Sequence, residues 1–535
     1  MTEPIKMIEI FSGIGAQAKA LNQLPVPHEV IATLDIEKDA ILSYASIRHD
    51  LEKEMATYEF PTKEQMVLEL QKKNVGFDFQ KNKHSITMKT NEDKIKQYYL
   101  ADKLSKNLGD VSLVQELPYA DIIVHSSPCQ SFSCAGKGEG GDEGSGTTSS
   151  LMWESLRLIQ TSMPKFVLWE NVAAVLTDKH RHNFIKYLAR LSELGYESAF
   201  DLLNSKNYGI PQNRLRIFCV SRKIENTSGS NIKECISPNK QVQTAMTEIR
   251  KNPNIKIWED YIFPETIPLE TRLKDLLEHG VDEKYYLADD RIEKILNSNF
   301  MQEKKRIQTT DVCDTLLARD WKDPKCVQVE EPEVKQIGNV CPTKKRANPN
   351  QGRVYDQEGI APALTTMGGG NREPMIVEEP MAYDEQNKYI RQDGCVGTLT
   401  TDGSSPKHNN RVLIPSEKIA IVEDQFPGSR NARIYKDYSP TLRQNCSGLE
   451  VAKGDIEEQI KWRIRKLTPK ECVRLMNFTD KDYEAMAKYV SNSAIYKACG
   501  NSIVVACLIA IMSSLFIEDG HKSEVWTQYA LHYSD

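Results

Sequence analysis

Short apolar runs alternate with helical stretches over residues 6–221, and this alternation predicts a doubly wound parallel α/β sheet. The apolar runs predict strands at residues 7–10, 28–33, 121–125, 165–169 and 216–220. Residues 50–106 interrupt the alternation with a segment rich in Lys and Glu. We expect that segment to be a helical insertion that decorates the sheet and carries no chemistry.

The pattern changes after residue 221. Residues 222–464 hold more turns, and short Thr-Leu segments that resemble a degenerate repeat recur there in a β-rich context. The repeats present side chains to a partner, or they only reuse one strand-turn pattern; the sequence leaves both open. Residues 465–535 return to helical periodicity, and the apolar run 503–516 is too short for a membrane span. One domain (1–221 and 465–535) interrupted by another (222–464) is the expected layout.

Composition narrows the class of protein. The chain has 535 residues, 40% of them hydrophobic and 27% charged, which suits a globular protein of two or more domains. The net charge of −6 means that binding to nucleic acid would need a local basic face. One cluster could supply such a face or could be an ordinary solvated loop, and it comprises Lys335, Lys344, Lys345, Arg346, Arg353 and Arg372.

Twelve cysteines are scattered without a Cys-x-x-Cys pair, which argues against zinc and against a disulfide framework. Residues 1–6 lack the basic-then-apolar pattern of a secretory signal. We therefore expect a reduced, cytoplasmic compartment, no membrane association and mostly inert core thiols.

A glycine turn follows the first predicted strand, in the segment Phe11-Ser12-Gly13-Ile14-Gly15. Glycines at such a position allow a tight turn and a close approach to a ligand. Asp35 ends the next strand, where an acid can accept hydrogen bonds from ribose hydroxyls, and Asp110 could accept from an adenine amino group. Each acid could equally be a helix cap.

Pro128-Cys129-Gln130 follows a buried strand and precedes a glycine-rich stretch, so Cys129 is a candidate nucleophile. Its thiol would need a nearby cation or a helix N-terminus to lower its pKa. Glu170 ends the next strand at the same sheet edge, where a buried carboxyl group could donate a proton to a ring nitrogen. Arg214 and Arg216 lie two residues apart and would face one site. A structural thiol and a structural Glu–Arg pair are the alternatives.

Together these motifs, in this order, resemble the DNA cytosine-5 methyltransferases of bacteria and phages. The glycine turn resembles the cofactor loop, Asp35 and Asp110 the later cofactor acids, and Pro128-Cys129-Gln130 the nucleophile motif. Two late segments, at residues 465–472 and 500–504, resemble the parts that brace the recognition domain and complete the cofactor pocket. The resemblance implies a methyltransferase of Rossmann-like fold, interrupted by a β-rich target-recognition domain.

The resemblance also implies S-adenosylmethionine as cofactor and duplex DNA as partner. Cys129 would attack carbon 6 of a flipped-out cytosine, while Glu170 engages ring nitrogen 3. Arg216 would hold the carbonyl oxygen of the base, Arg214 would organise Glu170, and Asn171 would fix the loop that carries Cys129. Residues 131–149 would close over the DNA as a lid.

Two sets of binding residues follow from the resemblance and from the expected loops. The expected cofactor-binding residues are Phe11, Ser12, Gly13, Ile14, Gly15, Asp35, Ile36, Asp110, Val111, Pro128, Leu151, Asn501, Ser502 and Ile503. The expected DNA-binding residues are Gln130, Ser133, Lys137, Asn171, Arg353, Asn371 and Arg372. We expect a monomer without a metal, with a cognate restriction endonuclease as a possible partner and a role in restriction–modification or in phage and host DNA protection.

The chain departs from the family pattern in two places. Ile36 follows Asp35 where the family often has an aromatic residue that covers adenine, so packing would replace stacking. In the expected lid, the family commonly has an arginine before a small-Leu-aromatic segment, whereas this chain has Thr147-Thr148-Ser149-Ser150-Leu151. The lid also carries Glu139, Asp142 and Glu143, whose charge would oppose phosphate contacts. No position expected to be catalytic is lost.

Three other functions are alternatives to this one. A tRNA cytosine methyltransferase would have a compact recognition region and a Cys-Phe-Thr signature, and neither is present. A DNA-binding relative without activity would not need Cys129, Glu170, Arg214 and Arg216. A cysteine hydrolase would need a histidine motif that the chain lacks.

Replacing Cys129 tests the nucleophile that the sequence predicts. Cys129→Ser should abolish methyl transfer while the protein still folds, because the attack needs a thiolate and serine does not ionise near neutral pH. Incorporation of tritiated methyl groups into DNA measures the activity, and circular dichroism checks the fold. Near-normal turnover in this variant would remove Cys129 from the mechanism.

Overall fold

The structure is a computed structural model. It describes residues 3–79, 81–128, 141–224, 237–271, 273–278, 281–285 and 463–530, together with short strands between residues 336 and 436. The expected nucleophile Cys129 lies outside the described residues.

A six-stranded sheet forms the centre of the molecule, in the order β2-β1-β5-β6-β9-β7. The strands of the first half of the chain are β1 (Ile5–Ile10), β2 (His28–Leu34), β3 (Phe77–Asp78), β4 (Lys83–His84), β5 (Ile122–His125), β6 (Phe166–Val172), β7 (Tyr196–Asn204), β8 (Gln212–Asn213) and β9 (Leu215–Lys223). All five predicted strands are present. β1, β2, β5 and β6 are parallel, whereas β9 pairs antiparallel with both β6 and β7.

The sheet is therefore mixed, and the expectation of a parallel sheet was wrong only at β9, which lies between β6 and β7 and runs antiparallel to both. The pattern of apolar residues does not reveal β7, a nine-residue edge strand. Its acidic residues Glu197 and Asp201 interrupt the apolar run that would have revealed it. Because β9 follows β7 through a short connection, the two strands pair antiparallel without the helical crossover that a parallel pair requires.

Helices cover both faces of the sheet. They are α1 (Ala16–Gln23), α2 (Lys38–Arg48), α3 (Leu51–Thr57), α4 (Lys63–Lys72), α5 (Glu92–Leu104), α6 (Leu151–Ser162), α7 (Arg181–Glu193), α8 (Lys240–Ile249), α9 (Pro469–Leu475), α10 (Asp480–Ala487), α11 (Asn492–Asn501), α12 (Val505–Phe516) and α13 (Ser523–Ala530). Short 3-10 turns lie at Thr148–Ser150, Ala173–Leu176, Ser205–Tyr208, Leu273–Leu276 and Glu283–Tyr285.

Two hydrophobic cores lie on opposite faces of the sheet. Successive residues of a strand point to opposite faces, so Met7 belongs to one core and its neighbour Ile8 to the other. Residues of α1, α2, α5 and α12 fill the first core. Residues of α6, α7 and α8 fill the second, where Trp169 stacks on Phe184 with ring centroids 5.5 Å apart. This two-sided burial confirms the doubly wound α/β class.

The insertion at residues 50–106 is helical, as predicted, but it is not decoration. It comprises α3, α4, the β3–β4 hairpin and α5. Met66, Leu70 and Ile95 are fully buried in the first core. An insertion that only decorated the sheet would leave these side chains exposed, so this segment is part of the structural core.

The late segment returns to the first core. Residues 505–513 of α12 are buried on every side of the helix, and they pack with Ile14, Leu21 and Ile41. Of the helices that the structure describes, none is long and apolar enough to cross a membrane alone. α11 and α12 reach that length and composition only together, as a pair bent by 40°.

The second block contributes short strands, β10 to β18, at Gln336–Asn339, Arg353–Asp356, Ala361–Pro362, Met375–Glu378, Ala382–Asp384, Tyr389–Arg391, Ile419–Val422, Arg433–Lys436 and Arg463–Lys466. β10, β11, β13 and β18 form one sheet, and β12 pairs with β8. Residues 237–261 lie beyond the expected boundary at residue 221, yet Ile249 and Trp258 are buried in the two cores of the large sheet. The division into domains stays a prediction.

The burial of α12 predicts that its side chains contribute strongly to the free energy of unfolding. Leu508→Ala should lower the free energy of unfolding by about 2–5 kcal/mol, because Leu508 is fully buried and the substitution leaves a cavity. Chemical denaturation followed by circular dichroism measures the change. Ile262→Ala is the matched control, since Ile262 is 58% exposed and its truncation should change stability little. Equal effects in the two variants would contradict the packing of α12.

Candidate active site

The glycine turn connects β1 to α1 at the carboxyl edge of the sheet. Phe11, Gly13 and Gly15 all have positive φ angles, of 59°, 54° and 76°. A Cβ atom on Gly15 would lie 2.4 Å from a guanidinium nitrogen of Arg48 and 2.5 Å from the Tyr44 ring. Position 15 therefore requires glycine, because any larger side chain would clash with Tyr44 and Arg48 of α2. Arg48 also donates a hydrogen bond of 2.5 Å to the carbonyl oxygen of Gly15, a contact that the sequence did not reveal.

A buried acid lies beneath this turn. The Glu9 carboxylate accepts hydrogen bonds from the Tyr44 hydroxyl at 2.5 Å and from the Ala18 backbone N–H at 2.9 Å. Burial raises the pKa of Glu9, and the Arg48 charge opposes that shift. The network ties α1 and α2 to β1, so it fixes the position of the glycine turn.

Asp35 lies where it was predicted, directly after β2. One carboxylate oxygen accepts from the Gly13 N–H and the other from the Glu37 N–H, both at 2.8 Å. Burial raises the pKa of Asp35, and these two backbone donors partly offset the shift. The alternative that Asp35 is a helix cap is partly confirmed, because its carboxylate binds backbone N–H groups of the glycine turn and of the residues that lead into α2.

Asp110 binds a residue that the sequence analysis missed. Its carboxylate accepts from the Asn74 side-chain amide at 2.7 Å and from the Ser112 N–H at 2.9 Å. The Asp110 N–H donates to the Lys73 carbonyl oxygen at 3.0 Å. Lys73 and Asn74 belong to the insertion, so that segment holds one of the two expected cofactor acids.

Glu170, Arg216 and Arg214 meet at the adjoining part of the edge. The Arg216 Nε lies 3.2 Å from the Glu170 carboxylate. Burial raises the pKa of Glu170, while the charges of Arg216 and Arg214 act in the opposite direction. A guanidinium nitrogen of Arg214 donates to the carbonyl oxygens of Gly500 at 3.1 Å and Ser502 at 2.7 Å. Both arginines lie near the carboxylate, and Arg214 also anchors the late segment.

Asn171 connects β6 to the segment that leads to Cys129. Its side-chain amide donates to the Ser127 carbonyl oxygen at 3.1 Å and to the Ser127 hydroxyl at 3.2 Å. Pro128, the last described residue before Cys129, lines a cavity that Asn171 also lines. Gln130, Ser133 and Lys137 lie outside the described residues.

One cavity of about 710 Å³ connects these groups. Nine of the expected cofactor residues line it, together with Glu170, Asn171, Arg214 and Arg216; the nine are Phe11, Gly13, Asp35, Ile36, Asp110, Val111, Pro128, Leu151 and Asn501. Ser12, Ile14, Ser502 and Ile503 are buried beside it. The volume and the acids fit S-adenosylmethionine, since pockets of this size enclose drug-sized ligands. Gly13 adds room, because no atom lies within 4 Å of a Cβ built there.

The cavity also has lining residues that no sequence motif indicated. Ser491, Ser493 and Lys497 come from the late helical segment, and Phe79 comes from the insertion. Lys497 pairs with Glu37 at the rim. Residues from the insertion and from the late helices thus line one cavity although they are hundreds of residues apart in the sequence. A local sequence pattern does not reveal contacts over such a separation.

The described thiols differ from the expected nucleophile. Burial raises the pKa of Cys219, Cys499 and Cys507 to about 12, so these thiols stay protonated. Cys472 is also buried. The expectation of inert core thiols holds for these four cysteines.

The described part of the expected lid is anchored to α7. Asp142 accepts from His182 and Asn183, each at 2.8 Å, and Glu143 pairs with Lys186 at 2.6 Å. The two acids of the lid that the structure describes therefore contact basic and polar groups of α7, and their charge is compensated within the protein.

Few of the expected recognition residues can be located. Arg353 is in β11 and is partly buried. Asn371 and Arg372 lie outside the described residues, as do Lys335, Lys344, Lys345 and Arg346. The basic cluster and its contacts to DNA stay predictions.

The comparison with known proteins decides the family. Residues 70–516 match the family model described as C-5 cytosine-specific DNA methylase. The chain belongs to this family. It is a DNA cytosine-5 methyltransferase that uses S-adenosylmethionine as methyl donor.

Relatives of the methyltransferase come from bacteria and phages. It is 34% identical to the type II methyltransferase M2.ScrFI of Lactococcus lactis subsp. cremoris, over 54% of this chain and 71% of the relative. It is 27% identical to the orphan methyltransferase M.SPRI of Bacillus phage SPR, over 96% of this chain and 97% of the relative. Among solved structures, the S. pombe Dnmt2 methyltransferase covers 97% of this chain and 99% of its own, at 13% identity and a TM-score of 0.42. A similarity that low adds nothing to the assignment.

The hydrogen bonds of Arg214 to the late segment predict that its side chain stabilises the methyltransferase. Arg214→Ala should lower the free energy of unfolding by about 1–3 kcal/mol for each buried carbonyl group left without its donor. Thermal and chemical denaturation measure the change. The control is Arg190→Ala, which removes an ion pair on the exposed face of α7 and should change stability by less than about 1 kcal/mol. A stable Arg214→Ala protein would show that the late segment is held by other contacts.

Proposed function

We propose that the cavity holds S-adenosylmethionine at the end bounded by Asp35 and Asp110 and an extruded cytosine at the end bounded by Glu170 and Arg216. The observation that carries this proposal is the buried Glu170–Arg216 pair, which lines the same cavity as the two acids and Pro128. A cytosine stacked in a duplex cannot reach such an enclosed carboxylate, so the base leaves the helix to bind.

Glu170 acts on ring nitrogen 3 in this proposal. Burial raises the pKa of Glu170, so a larger fraction of its carboxyl group is protonated than in water. The protonated carboxyl group donates to nitrogen 3 and makes carbon 6 more electrophilic. Arg216 opposes the shift, because its positive charge favours the ionised carboxylate and so lowers the pKa of Glu170.

Cys129 is the proposed nucleophile. Its thiolate forms a bond to carbon 6, and the electron pair of the 5,6 double bond moves toward carbon 5 and the ring. S-adenosylmethionine supplies an electrophilic methyl group. Carbon 5 would bond to that methyl group as the methyl–sulfonium bond breaks and S-adenosylhomocysteine leaves. Water then takes the proton from carbon 5, and the released electron pair restores the 5,6 double bond as the sulfur–carbon bond breaks and regenerates the Cys129 thiolate. Asn171 supports this role by bonding to Ser127, two residues before Cys129.

Residues 222–464 are the proposed target-recognition domain. In this proposal its strands and turns read base edges in the major groove, where each base pair has its own donor and acceptor pattern. Arg353, Asn371 and Arg372 are the proposed contacts. We propose catalytic segments at residues 1–221 and 465–535, with residues 237–261 packing against the catalytic sheet.

The biological setting is also a proposal. The named relatives include a type II enzyme and an orphan phage enzyme. We propose a role in restriction–modification or in DNA protection, carried out by a monomer in a reduced, cytoplasmic compartment. A cognate endonuclease is part of the proposal only in the first case.

Methyl transfer to two nucleic acids tests the proposed substrate. The purified protein is incubated with tritiated S-adenosylmethionine and either duplex DNA or tRNA. We expect label in DNA only, and bisulfite sequencing of a plasmid from expressing cells then gives the recognised word. Label in tRNA only would overturn the proposal that the cavity accepts a base from duplex DNA.

Replacing Glu170 tests the proposed acid. Glu170→Gln should slow methyl transfer by about 10²–10⁴-fold with little change in DNA affinity, because the amide keeps the shape but cannot supply the proton. Steady-state kinetics and a gel-shift assay measure the two effects. In the parent protein, turnover that depends on protonated Glu170 should fall as pH rises through its raised pKa. Glu154→Gln on α6 is the control, and unchanged turnover in Glu170→Gln would remove the acid from the mechanism.

A further inference from the structure

Phe79 is an exposed aromatic residue in an unusual place. It follows β3 in the insertion, is 60% exposed, and lines the active-site cavity. Phe11 is the other aromatic residue that lines the cavity within the described part of the chain. Leaving a phenylalanine ring largely uncovered forgoes much of the roughly 1.5–3 kcal/mol that its full burial would contribute. Because the Phe79 ring is exposed and lines the cavity, it can pack against a ligand bound there.

The segment that carries Phe79 is fixed to the cofactor end of the cavity. The Gly76 N–H donates to the Ile36 carbonyl oxygen at 2.7 Å, and Asn74 donates to Asp110 at 2.7 Å. The backbone from residue 73 to residue 79 therefore runs beside Ile36, which follows Asp35, and beside Asp110. Gly76 must be glycine here, since its φ is 75° and a Cβ would lie 2.8 Å from the Ser85 hydroxyl.

The hairpin gives the Phe79 ring a rigid support. The rings of Phe77 and Phe79 lie 4.9 Å apart at 82°, and Phe77 contacts His84 with centroids 4.8 Å apart. Pairing of Phe77 with His84 closes the hairpin. Edge-to-face packing of this kind restricts the orientation of a ring without burying it.

We propose that Phe79 stacks on the adenine ring of S-adenosylmethionine, and that the insertion is a cofactor-binding element of this methyltransferase. The inference rests on the proposed function, because it takes the Asp35–Asp110 end of the cavity as the adenosine site. Ile36 offers an aliphatic surface in the same cavity, and Phe79 supplies the π face that an adenine ring stacks on.

Binding measurements on the full chain test this role without relying on turnover. Isothermal titration calorimetry with S-adenosylhomocysteine should show that Phe79→Ala weakens affinity about tenfold, as expected when one base–aromatic stack is lost. Phe79→Tyr should stay within about twofold of the parent, and Phe79→Leu should fall between the two, because leucine covers the site without a π face. A gel-shift assay without cofactor should show unchanged DNA affinity in all three variants.

Two controls separate the possible failures. Met88→Ala truncates another exposed side chain of the insertion, 46% exposed, and should leave affinity unchanged. Asp110→Asn tests the pocket itself and should weaken binding. If Asp110→Asn binds normally, the proposed cofactor site is wrong. If Asp110→Asn is weak and Phe79→Ala is normal, the inference about Phe79 alone fails. Loss of DNA affinity in Phe79→Ala with normal cofactor affinity would assign the ring to nucleic acid and overturn the proposal.

Discussion

The active site depends on a contact between two parts of the chain that are almost three hundred residues apart. Arg214 precedes β9, and its guanidinium group binds the carbonyl oxygens of Gly500 and Ser502. This contact places the end of α11 over the carboxyl edge of the sheet. Gly500 and Asn501 line the cavity together with Glu170, whose pKa is raised by burial. The late helices therefore supply one wall of the cavity.

Burial of acids is the recurring electrostatic feature of this edge. Glu9 and Glu170 are buried and Asp35 is partly buried, and burial raises the pKa of each. Their partners differ: backbone N–H groups for Asp35, a tyrosine hydroxyl and a backbone N–H for Glu9, and an arginine for Glu170. Glu9 and Asp35 order the glycine turn and the helices next to it. Only Glu170 combines a raised pKa with a position against Arg216, which suits proton transfer.

The sequence predicted the parts of this site that local patterns encode. Apolar runs located the five strands, and the acids at strand ends followed from the strands themselves. Most of the segments that resemble family motifs line one cavity, although residues 465–472 do not line it and Cys129 lies outside the described residues. Patterns along the chain did not reveal β7, whose polar residues hide its period, or Asn74 and Phe79, which reach the cavity from an insertion. The expectation that Arg214 organises Glu170 is corrected by the structure, in which Arg216 forms the ion pair with Glu170 while Arg214 binds the carbonyl oxygens of the late segment.

The orientation of β9 has a consequence for how catalytic residues are sought in sheets of this kind. Ligands of parallel sheets are usually sought where strands finish. A strand that runs against its neighbours starts at the rim where they end, so Arg216, near the start of β9, lies opposite Val172 at the end of β6. Because β9 lies between β6 and the edge strand β7 and runs against both, its register with β6 brings Arg216 beside Glu170 without a long loop. Surveys limited to the trailing ends of strands would overlook half of this ion pair.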